Sequence, residues 1–121
     1  MSIFQSGEDY LERILMLQKQ NGSVRAIDIA NSMNYSKPSV SVALKKLKAS
    51  GFIEVNDDGI ITLTEEGEKK AFNIFERHTI ITKFLIHIGV SNEVALKDAC
   101  KIEHNLSDET FSKLKEFCDK I

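Results

Sequence analysis

The stretch from Ser36 to Leu63 constrains the fold more than any other part of the chain. Ser36 suits a helix N-cap, and Pro38 suits a first turn, where a missing N–H costs little. Val40, Ala43, Leu44 and Leu47 follow at helical spacing, and Ser50-Gly51 ends the run. Two short apolar runs come next. Phe52, Ile53 and Val55 form the first, and Ile60, Ile61 and Leu63 the second. Asn56-Asp57-Asp58-Gly59 lies between them and is turn chemistry, so the pair reads as a β-hairpin. Upstream, residues 26–33 carry Ile27, Ile29 and Ala30, and Asn34-Tyr35 breaks that pattern. Residues 8–20 carry apolar side chains at 11, 14, 15 and 17, with Ser6 placed to cap and Gly22 to stop a first helix. Three short helices followed by a two-stranded hairpin is the order of a winged helix-turn-helix.

The rest of the chain is helical in pattern. Thr64 caps a long helix that runs to Gly89, with Glu65 and Glu66 at its positive end. Residues 92–104 and 107–120 read as two further helices, capped by Ser91 or Asn92 and by Ser107. Phe72, Ile74, Phe75, Phe84, Leu85, Phe111, Leu114 and Phe117 are more apolar surface than these helices can bury alone, so a homodimer is expected. The predicted fold class is mainly α with a small β-hairpin. Residues 1–64 form the winged helix-turn-helix domain and residues 65–121 the helical dimerisation domain.

Composition narrows the partners. With 121 residues, 16 Lys+Arg and 18 Asp+Glu, the net charge is −2, which excludes an overall basic surface but not a local basic patch. No apolar run approaches the roughly 20 residues that span a bilayer, and MSIFQSGEDY has no signal-peptide pattern, so no membrane partner is expected. Two cysteines, Cys100 and Cys118, are too few for a disulfide framework. A cytoplasmic protein with reduced thiols is expected.

One basic patch is visible. Between residues 34 and 50 there are four lysines and no acid. The second helix of a helix-turn-helix enters the major groove with its N-terminal residues toward base edges. Those residues here are Ser36, Lys37, Pro38, Ser39, Ser41 and Val42. Hydroxyls reach bases or phosphates, and an exposed apolar group suits a thymine methyl. Lys45, Lys46, Lys48 and Arg25 are candidates for phosphates. Double-stranded DNA is the expected partner.

A second constellation is ligand-like. Cys100, Glu103 and His104 stand at i, i+3 and i+4, on one face of a predicted helix. Thiolate, carboxylate and imidazole together suit a divalent transition metal. Asp9 and Glu12 share a face of the first helix, and His78 lies in the long one. By themselves these residues read equally as solvated acids, a surface histidine and a small buried thiol. His87 reads as a surface histidine and Cys118 as packing.

Several segments together carry a family resemblance: SGEDYLERI (6–14), DIANSMNYSKPSVSVALKKLKASGFI (28–53), LTEEGEKKA (63–71), RHTIITKFL (77–85) and DACKIEHNLS (98–107). The chain resembles the diphtheria toxin repressor and manganese transport regulator family of metal-dependent repressors. The resemblance implies Asp9, Glu12, His78, Cys100, Glu103 and His104 as metal ligands. Asp9 and Glu12 follow the manganese branch, whereas Cys100 follows the iron branch. Thr82, Leu96 and Asp98 stand where the iron branch's ancillary ligands fall, and none suits a soft metal. The C-terminal β-barrel of larger members is not expected. A minimal manganese-type regulator with one iron-type ligand is expected, using Mn²⁺ or Fe²⁺, with Zn²⁺ or Co²⁺ substituting in vitro.

The function implied is a homodimeric repressor of metal-uptake genes, in which metal bridges the two domains and sets the spacing of the recognition helices on an operator. The alternative is a winged-helix regulator indifferent to metal. A hydrolase using Glu103 as base finds no supporting constellation, neither a phosphate loop nor a zinc-protease helix, and no enzyme is expected.

Overall fold

The structure, a computed structural model, describes residues 5–121, with side chains described from residue 7. The cap expected at Ser6 falls outside the described side chains. Six helices and two strands follow in order: α1 (Gln5–Asn21), α2 (Ala26–Met33), α3 (Lys37–Ala49), β1 (Ile53–Val55), β2 (Ile61–Leu63), α4 (Glu65–His87), α5 (Asn92–Ile102) and α6 (Asp108–Asp119). Two compact units result, Met1–Phe72 and Asn73–Ile121, the division falling inside α4.

In the first unit, Leu11, Ile14, Val24, Ile29, Val40, Leu47, Ile53 and Ile61 are buried almost completely. Side chains at i, i+3, i+4 and i+7 share a helix face, which is why Val40, Ala43, Leu44 and Leu47 all turn inward from α3. Ile27 departs from expectation and is exposed. It stands two residues before Ile29, about 200° around the helix, so the two cannot share a face. Asn34 adopts a left-handed conformation (φ 57°) that ends α2, and Ser36 caps α3 by accepting from the Ser39 N–H at 3.3 Å.

β1 and β2 pair antiparallel, Glu54 facing Thr62. The Asn56 side-chain oxygen accepts from the N–H groups of Asp58 and Ile60 at 3.0 and 2.9 Å and braces the turn. Val24 adds a bridge to Ile61 that the sequence pattern did not announce (N–H···O 2.8 Å).

The start of α4 is docked on the hairpin. Thr64 Oγ1 accepts from the Gly67 N–H (3.1 Å) and donates to the Gly51 carbonyl (2.6 Å), while its N–H donates to the Phe52 carbonyl (3.0 Å). A Cβ at position 67 would run into that same Phe52 carbonyl. Gly67→Ala is therefore expected to destabilise the protein by about 1–3 kcal/mol through overpacking, read as a lower Tm by calorimetry. An unchanged Tm would show that the approach of α4 to β1 is loose.

The second unit buries Ile74, Ile81, Ala95, Ala99, Phe111 and Cys118. Ser107 caps α6 by accepting from the Thr110 N–H (3.1 Å). Ile86, Ile88, Val94, Leu96 and Phe117 remain exposed. No helix among the described residues is long and apolar enough to cross a membrane.

Candidate metal centre and nucleic-acid interface

α5 ends at Ile102, two residues short of its predicted end. Glu103 keeps helical backbone angles, its N–H bonded to the Ala99 carbonyl at 2.9 Å, whereas His104 lies in the turn beyond. This early stop splits the expected triplet. Cys100 and Glu103 turn toward His78 of α4, and ligand atoms of these three residues lie within 4.8 Å of one another. His78 Nδ1 stands 3.0 Å from Glu103 Oε2 and 3.9 Å from Cys100 Sγ. His104 is outside this cluster. Its Nε2 lies 3.4 Å from the other Glu103 oxygen, Oε1.

Glu103 is thus the centre of the arrangement. It is 0% exposed, and its Oε1 has no hydrogen bond among the described residues despite the nearby imidazole. A buried carboxylate oxygen without a donor is costly unless a cation takes that role. The donor set fits a divalent transition metal: one imidazole, one thiol and one carboxylate converge, with a second imidazole on the carboxylate's far oxygen. Cys100 is exposed, so its thiol is accessible to an incoming ion. Asp9 and Glu12 lie half-buried on α1, one turn apart.

The α3 face opposite its core is open. Ser36, Lys37, Pro38, Ser39, Ser41, Val42, Lys45, Lys46 and Lys48 are all exposed. Val42 at 54% is the informative one, because an apolar side chain on the outer face of a helix has no packing role within this chain. Arg25 is exposed too, and its Nε donates to the Asp58 carbonyl of the hairpin turn at 3.3 Å. That bond joins the start of α2 to the tip of the wing.

Residues 3–60 match the family model described as iron dependent repressor, N-terminal DNA binding domain, and residues 64–121 match its metal binding and dimerisation domain. The chain belongs to the iron dependent repressor family. The transcriptional regulator MntR of Escherichia coli O6:H1 is 40% identical over 113 residues, covering 93% of this chain and 73% of that protein. An uncharacterized HTH-type transcriptional regulator of Methanocaldococcus jannaschii is 38% identical over 119 residues, covering 97% and 95%. The solved structure of the manganese regulator SloR superposes with a TM-score of 0.83 at 28% identity. It covers 98% of this chain and 55% of SloR, so the chain spans about half the length of that protein.

One residue beside the ligand cluster was not singled out by sequence reasoning. Arg77 is 7% exposed. Its Nε donates to Asn73 Oδ1 (3.1 Å), one terminal nitrogen to the carbonyls of Glu103 (3.2 Å) and Leu106 (2.6 Å), and the other to Asp108 Oδ1 (2.6 Å). The guanidinium also lies 5.2 Å from the Phe111 ring centroid. Arg77 therefore holds the turn that carries Glu103 and His104 against α4. Its signal was present: it occupies the buried face of α4 between Ile74 and Ile81, at helical spacing from both.

Proposed function

We propose that this member of the iron dependent repressor family is a homodimeric transcriptional repressor of metal-uptake genes that binds its operator when loaded with Fe²⁺ or Mn²⁺. The observation that carries the reading is the buried Glu103 carboxylate, facing His78 and Cys100 with one oxygen and His104 with the other. A bound divalent ion would supply positive charge to this carboxylate and fixed directions to its ligands. His78, Cys100, Glu103 and His104 are the ligands that the second unit offers. Asp9 and Glu12 are proposed as ligands from the first unit on the strength of the family pattern.

The remaining roles belong to the chain's own residues. Residues 1–64 bind DNA and residues 65–121 bind metal and dimerise. Lys37, Lys45, Lys46, Lys48 and Arg25 neutralise phosphates, whereas Ser36, Pro38, Ser39, Ser41 and Val42 meet base edges. The two recognition helices of a dimer must lie about 34 Å apart to enter successive major grooves. The exposed apolar residues Ile86, Ile88, Val94, Leu96 and Phe117 suit the dimer contact. The protein acts in the cytoplasm and performs no catalysis.

The donor set sets the metal preference. Carboxylate and imidazole suit Mn²⁺, and the thiolate of Cys100 adds softness that favours Fe²⁺, with Zn²⁺ or Co²⁺ as in vitro substitutes. A Co²⁺ titration tests the ligands. We expect a near-ultraviolet sulfur-to-cobalt band in the wild type, absent in Cys100→Ser. Glu103→Gln, Asp9→Ala and Glu12→Gln should each weaken Co²⁺ binding by at least about tenfold. A full-strength band in Cys100→Ser would remove the cysteine from the site, and unchanged affinity in Asp9→Ala or Glu12→Gln would remove that acid.

A further inference from the structure

The DNA-reading face extends beyond α3. Tyr35 stands immediately before the Ser36 cap, at the end of the recognition helix that approaches the bases, and it is 47% exposed. An exposed tyrosine is normally free to turn, but this one is held. Its ring meets the Tyr10 ring of α1 edge-on, centroids 5.9 Å apart and planes at 60°. Tyr10 itself is only 4% exposed, so it is a fixed anchor. Tyr35, Pro38, Val42 and Lys46 together line an open hollow beside the exposed face of α3. The hollow combines apolar walls with a lysine, and no acid lies between residues 34 and 50. It suits an occupant that carries negative charge and also presents apolar surface. The sugar–phosphate backbone of duplex DNA has both properties, and tyrosine hydroxyls are among its regular donors.

We propose that Tyr35 is a DNA-contacting residue, its phenol donating to a backbone phosphate and its ring covering the adjacent sugar, with Tyr10 setting its position. The inference rests on the DNA-binding reading above. It gives α1 a supporting role in DNA binding, exercised through Tyr10. A phosphate contact fixes register without reading sequence, so its loss weakens binding to all duplexes alike.

The chain carries its own reporter. Tyr10 and Tyr35 are its two tyrosines and it has no tryptophan, so its intrinsic emission comes from this pair. The experiment uses the Mn²⁺-loaded full chain and a duplex selected by that protein from a random pool. Tyr10→Phe leaves Tyr35 as the emitter, and Tyr35→Phe leaves Tyr10. We expect duplex to change the emission of Tyr10→Phe and to leave that of Tyr35→Phe unaltered. Tyr35→Phe should bind the selected duplex and an unrelated duplex about tenfold more weakly than wild type, the loss of one hydrogen bond to a charged group. Wild-type affinity in Tyr35→Phe, with silent emission in Tyr10→Phe at saturation, would overturn this inference and leave the DNA-binding reading standing. Failure of the wild type to select any duplex would overturn both.

Discussion

Stripping the divalent metal with a chelator is expected to weaken operator binding about 5- to 150-fold, the range of a coupling free energy of roughly 1–3 kcal/mol between two ligands of one protein. Two features set the sign. The chain carries a net charge of −2 and approaches a polyanion, so each bound cation lowers the repulsion. On the proposed switch, the ion also binds the DNA-competent arrangement more tightly and so shifts the population toward it. The charge contribution is screened by salt, so the metal effect should be larger at low ionic strength. Coupling is reciprocal, and operator DNA should tighten metal binding by the same factor. Fluorescence anisotropy on a labelled operator, with and without chelator, measures the effect. Equal affinities across a metal titration that fills the site would leave a winged-helix regulator indifferent to metal.

Replacing Arg77 by leucine should cost about 2–5 kcal/mol of stability, because the carbonyls of Glu103 and Leu106 lose their shared donor in a buried setting. The corresponding fall in Tm is on the order of 10 °C for a chain of this size. The same change frees the turn bearing Glu103 and His104, so Co²⁺ affinity should drop with it. Arg77→Lys keeps the charge but has too few fixed donors for all four partners, and should fall between. Asp108→Asn is the contrast. The Asp108 side chain is 97% exposed, so its ion pair contributes at most about 1 kcal/mol. Calorimetry on the three variants separates these roles. A wild-type Tm in Arg77→Leu would show that the turn is held by its neighbours instead.

The helix-turn-helix and its wing were legible because their signals are local. Ser36, Pro38 and the 40/43/44/47 spacing describe one helix, and Asn56 to Gly59 describe one turn. Ile27 was misplaced because an eight-residue helix has too few apolar positions to fix its rotation. The candidate metal site was legible in its residue types but not in its grouping. Spacing alone put Cys100, Glu103 and His104 on one face, and only the early end of α5 sends His104 to the other oxygen of Glu103. Arg77 was obscured for a different reason. Two of its four partners are backbone carbonyls on a distant turn, and a carbonyl has no residue type for a pattern to detect.

Glu103 also has a bearing on how long each molecule lasts. A carboxylate held at 0% exposure, with one oxygen lacking a hydrogen bond among the described residues, is a standing weakness in the fold. A ligand that binds only the folded chain adds about 2.7 kcal/mol when present at a hundred times its dissociation constant. Differences of that size alter the fraction of molecules that unfold and meet proteases. With Glu103 as the proposed ligand, the same residue would both respond to scarcity and shorten the life of the idle regulator. On that proposal, metal supply would govern both the activity of each copy and the number of copies that persist.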